Sequence, residues 1–153
     1  MRYGLVRQIL WFAAAVLVGG TSLAPALADD VSSRAKISGT WEGENNGKWI
    51  LENKGDSFHV VYQERDEKVM DFECSTAGKE CDVKVGGHGA KVILYYNGPL
   101  LVEMETRGSD VVKRRFGVDE SGQELAVDLM PLVPSGKDST AHFKRVQNQV
   151  SSR

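Results

Sequence analysis

From residue 48 to residue 146, apolar and polar side chains alternate in short runs, and turn-forming residues break the pattern at close intervals. Alternation with a period of two gives each run one apolar face as a strand, whereas a helix needs apolar positions three and four apart. The runs are KWILENK (48–54), SFHVVYQE (57–64), VMDFECS (69–75), ECDVKV (80–85), AKVILYY (90–96), LLVEMETR (100–107), VVKRRFGV (111–118), ELAVDLM (124–130) and STAHFKRV (139–146). Gly55-Asp56, the glycines of GGHG, Asn97-Gly98-Pro99 and Gly108-Ser109-Asp110 are among the turn signals between them. With GTWEG (39–43) this makes nine or ten strands. Such a meander must close on itself or leave an edge exposed. The expected fold is therefore all-β, a single up-and-down antiparallel barrel of about 8–10 strands. Around residue 121 a helix competes, because Ser121 to Glu124 reads as a capping box and Leu125/Leu129 are four apart. Pro131 would end that helix after barely two turns, and Gly122 weakens its start, so a strand is the better reading.

Residues 1–28 read as a signal peptide. Arg2 and Arg7 precede a short apolar stretch (9–20), and APALA (24–28) ends in small residues suited to cleavage. A membrane span needs about 20 consecutive apolar residues, and Gly19, Gly20, Thr21, Ser22 and Pro25 interrupt this run. The expected organisation is then a flexible N-terminal segment at 29–36, a barrel at 37–146 and a flexible tail at 147–153. The product would be exported to a bacterial periplasm or the medium, with no integral membrane span after cleavage. Cleavage removes two arginines and no acids, leaving 17 of the 19 Lys and Arg against 21 Asp and Glu, a net charge of −4. That balance argues against a nucleic-acid partner, which needs a basic face.

Cys74 and Cys81 are the only cysteines, an even pair in a chain read as exported, and most simply a disulfide. His59, His88 and His142 lie far apart with no ligand spacing, so neither a metal nor another cofactor is implied. No nucleophile with a base beside it and no paired carboxylate site stands out, and the chain does not read as an enzyme.

Charge tests the hairpin register. A three-residue loop at Gly108-Ser109-Asp110 sets Glu105 opposite Lys113 and Glu103 opposite Arg115. The other face then aligns Val102 with Phe116 and Met104 with Arg114. Reading Asn97-Gly98-Pro99 as a three-residue loop gives the same parity, with Lys91 opposite Glu105. The inward set becomes Trp49, Leu51, Phe58, Val60, Tyr62, Met70, Phe72, Val83, Val85, Val92, Leu94, Tyr96, Val102, Met104, Val112, Phe116, Leu125, Val127, Leu129 and Phe143. Cys74 and Cys81 share that face, and His59, His142, Glu103 and Glu105 point outward. Arg114 falls inside, where a cation must find an acid, reach water at the mouth, or await an acidic ligand.

Gly39-Thr40-Trp41 at the start of the meander, with Phe143-Lys144-Arg145 at its end, resembles the lipocalin (calycin) pattern. The chain is similar in particular to short lipocalin-like domain proteins of bacteria, a likeness that carries no activity with it. The mid-chain loop signature of larger lipocalins and a helix after the barrel are both missing. The resemblance implies that Trp41 plugs the barrel base beneath Arg145, with Gly39 leaving room for the chain. It also suggests a lumen for a small amphipathic or acidic ligand, with Arg114, Tyr62, Tyr96, Met104 and Phe116 as candidate contacts. An alternative is an inhibitor-like barrel that binds a protein partner through residues 29–36 and holds no small molecule.

Overall fold

The computed structural model describes residues 24–147, with side chains from residue 29 onward. Most of the signal-peptide reading and residues 148–153 of the tail lie outside the described residues. The elements run α1 (Ala24–Ile37), β1 (Gly39–Gly43), β2 (Gly47–Asn53), β3 (Ser57–Glu64), β4 (Glu67–Ser75), β5 (Ala77–Val85), β6 (His88–Asn97), β7 (Leu100–Arg107), β8 (Asp110–Val118), β9 (Glu124–Val133) and β10 (Ser139–Arg145). All ten strands pair antiparallel with their chain neighbours, and β1 pairs with β10 to close the barrel. Closure leaves no free edge for another chain to pair with. The segment at 124–133 is strand, and Pro131 is tolerated there because the ladder with β8 shifts register between Val111 and Val112 beside it.

Residues 29–36, expected as a flexible segment, instead belong to α1. Arg34 and Lys36 stand in its last turn and tie it to the barrel, donating to the carbonyls of Gly98 (2.7 Å) and Glu120 (2.9 Å). Ile37 enters the core completely buried. The turns at 98–99 and 119–123 therefore mark the end of the barrel that the helix approaches. The turns at 65–66, 86–87 and 108–109 ring the other end.

The inward parity holds for β2, β3, β4, β6, β8 and β9 but is reversed on β7. Asn97 pairs with Leu100 and Arg107 with Asp110, so both loops have two residues rather than three. Gly98 and Gly108 each take the first loop position at φ 59°, the left-handed backbone that a two-residue Gly-X hairpin requires. Each miscount moves the register by one in the same sense, so β8 is displaced by two residues relative to β6, an even shift that preserves its parity. Strands β6 and β8 keep their faces, and β7 alone turns over. Leu101 and Glu103 are completely buried and Glu105 nearly so. Met104 faces the other way, level with Lys113 and Ile93. Val102 is buried too, but level with Arg115 and Tyr95 and outside the core cluster.

Candidate functional site

Trp41 and Arg145 are cross-strand partners between β1 and β10. The Arg145 guanidinium lies over the indole at 4.1 Å, and the indole is fully buried, donating from Nε1 to the Ile37 carbonyl at 3.0 Å. Arg145 also donates to the carbonyls of Gly122 (2.6 Å), Ser38 (2.9 Å) and Lys36 (2.5 Å). One side chain thus joins the start of β1, the end of α1 and the β8–β9 turn, while its charge rests on a ring face. A Cβ at Gly39 would collide with this guanidinium, and its φ of 151° also favours glycine. This end of the barrel is sealed.

Toward the other end lies a cavity of about 470 Å³. Its wall is mainly apolar, with Trp49, Met70, Val85, Val127, Leu129 and Phe143, and it includes Tyr62, Arg107 and Arg114. Trp49 stacks on Tyr62 at 4.4 Å between ring centroids and meets Phe116 edge-on at 5.0 Å. Of the candidate ligand contacts, Arg114 and Tyr62 line this cavity. Phe116 is fully buried against Trp49, outside the lining. Tyr96 sits toward the sealed end with the Arg34 guanidinium 4.7 Å above its ring. Met104 is on the outer face, as the corrected register of β7 requires.

The reversal of β7 supplies what Arg114 lacked. Its Nη1 donates to Glu103 Oε1 and to Glu105 Oε2, each at 2.7 Å, and Arg107 Nη2 donates to Glu105 Oε1 at 2.6 Å. Glu103 and Glu105, expected to face solvent, are thus the buried partners of an inward arginine. Burial pushes the Glu103 carboxyl above its ordinary pKa, and the Arg114 charge only partly offsets this. Burial also acts to raise Glu105, but hydrogen bonds and charge from Arg114 and Arg107 outweigh it and hold that carboxyl below its usual value. Arg114 is itself held more firmly protonated, because its two acids outweigh the cost of burial. Two atoms here lack partners among the described residues, Glu103 Oε2 and Trp49 Nε1. Sequence reasoning missed Glu103, Glu105, Arg107 and Trp49 as site residues. The available signal was the dipeptide Gly108-Ser109, which by itself marks a two-residue hairpin.

Cys74 and Cys81 form a disulfide between β4 and β5. The histidines of the outer face are held by acids, His59 between Asp71 (2.8 Å) and Glu52 (3.3 Å) and His142 beside Glu124 (2.9 Å). Among the described residues no three His, Cys, Asp or Glu side chains group to hold a metal, and no helix is long and apolar enough to cross a membrane.

No family model matches the sequence, and no curated protein matches it. Solved structures do match. A protein described as the REP1-NXSQ fatty acid transporter is 16% identical, with a TM-score of 0.62, over 75% of this chain and 99% of its own. A secretory abundant heat soluble protein of Ramazzottius varieornatus is 14% identical, with a TM-score of 0.61, over 72% and 96%. A Schistosoma mansoni fatty acid binding protein, solved in complex with arachidonic acid, is 14% identical, with a TM-score of 0.59, over 75% and 99%. At these identities the likeness establishes the fold alone: a ten-stranded barrel of the lipocalin and fatty-acid-binding-protein type.

Proposed function

We propose that this chain is an exported binding protein, and not an enzyme, that holds a small amphipathic molecule, acidic or uncharged at its head, in the cavity of its barrel. The observation that carries the reading is a cavity of about 470 Å³ whose mainly apolar wall carries Arg114, held by Glu103 and Glu105, with Arg107, Tyr62, Ser139 and Thr140. Ligand sites of this kind span roughly 300–1,000 Å³ and combine apolar walls with a few oriented polar groups. Two of the structural neighbours are described as a fatty acid transporter and a fatty acid binding protein, which supports a lipophilic guest. The disulfide fits an oxidising compartment. The inhibitor alternative relied on a free segment at 29–36, and those residues form α1 instead.

Native mass spectrometry of protein recovered gently from its own source tests the proposal. A bound small molecule that is lost on denaturation is the expected result. A clean unliganded mass under every extraction condition contradicts it.

A further inference from the structure

Resting on the amphipath-binding reading, we infer that the head group taken by the cavity is uncharged and accepts hydrogen bonds, as in a long-chain alcohol or an ester, rather than a carboxylate. The charge of Arg114 is already matched. One nitrogen, Nη1, serves both Glu103 and Glu105, and the second oxygen of Glu105 is taken by Arg107. Two cations and two carboxylates leave the cluster formally neutral. Glu103 is completely buried and the Arg114 side chain is only 13% exposed, so water screens these charges weakly. A ligand carboxylate drawn to Arg114 would sit beside two like charges in that weakly screened region.

Hydrogen-bond supply points the same way. Arg114 Nη2 and Nε make no bond to the described protein, and Trp49 on the cavity wall has an indole N–H without an acceptor. Glu103 Oε2 has no donor. A hydroxyl or ester oxygen accepts from those Arg114 nitrogens on the cavity wall without adding charge, while Glu103 stays completely buried off that wall.

Calorimetric titration with dodecanol, methyl dodecanoate and dodecanoic acid at neutral pH tests this, because the three share a chain and differ in head. Dodecanol and the ester are each expected to bind at least about tenfold more tightly than the acid. Glu103→Gln and Glu105→Gln, each removing one negative charge at nearly constant shape, are expected to narrow that gap in favour of the acid. Acid binding as tight as dodecanol binding in the unaltered protein overturns the inference and leaves the binding function standing. So does a gap that neither folded variant changes. Binding of none of the three overturns both the inference and the proposed function. The ranking in the unaltered protein decides the matter even where a variant fails to fold.

Discussion

At Arg114, one cation holds two buried carboxylates, and removing it leaves both without their main partner. Arg114→Leu is therefore expected to lower stability by about 3–5 kcal/mol in urea titration at neutral pH. A loss below about 1 kcal/mol would mean that the acids reach water without it. Glu103 also fixes a pH dependence. Its folded pKa lies above the 4.5 of an unperturbed glutamate, so between those values the folded state holds a proton that the unfolded chain has released. Its contribution to stability is thus greatest at or below pH 4.5 and declines as pH rises through the folded pKa. Glu105 has the opposite sign, its contribution being lost as pH falls through its depressed folded pKa. Stability curves for the unaltered protein and Glu103→Gln should diverge with rising pH across the Glu103 window, the variant gaining relative to the parent. Parallel curves would contradict the buried setting. At the sealed end, Trp41→Ala removes a fully buried indole and is expected to cost about 3–5 kcal/mol, read by urea titration.

Among the strands, β4 and β5 are joined most thinly, since Met70 and Val85 are their one register pair. The Cys74–Cys81 bond spans the same two strands in the same register, closer to the end where α1 lies. Replacing both cysteines with serine is expected to cost about 2–3 kcal/mol, the value for closing so short a loop. Amide exchange should accelerate first in β4 and β5. Uniform acceleration around the barrel would show that the seam is no weaker than its neighbours. Strand existence and the face of most strands were legible because alternation is a local property of each run. Strand β7 was not, since surface ion pairing favours Glu103 opposite Arg115 and Glu105 opposite Lys113. Surface pairs of that kind are worth little, whereas burying two glutamates around one arginine satisfies an inward cation that cannot go elsewhere. Helix α1 escaped notice for another reason. DDVSSRAK has no apolar stripe, and what holds it is tertiary: Arg34 and Lys36 on turn carbonyls and Ile37 in the core.

Over the whole molecule, one barrel is sealed at one end by Trp41, Arg145 and α1 and carries its cavity toward the other. The sealed end was readable from Gly39, Trp41 and Arg145, since a close approach and a large aromatic leave marks in sequence. The cavity was readable only in part, through Arg114 and Tyr62. Its polar centre depends on which way one strand faces, and one residue of loop length decides that. Trp49 ties the cavity to a measurable signal, because its indole N–H is unpartnered and its ring lines the wall. The most direct measurement is the nuclear magnetic resonance signal of the Trp49 indole proton during titration with dodecanol. A saturable downfield shift, absent from the Trp41 indole already bonded to Ile37, is the result the account predicts. An unchanged Trp49 signal with bound dodecanol perturbing only outer-face residues such as Met104 would contradict it.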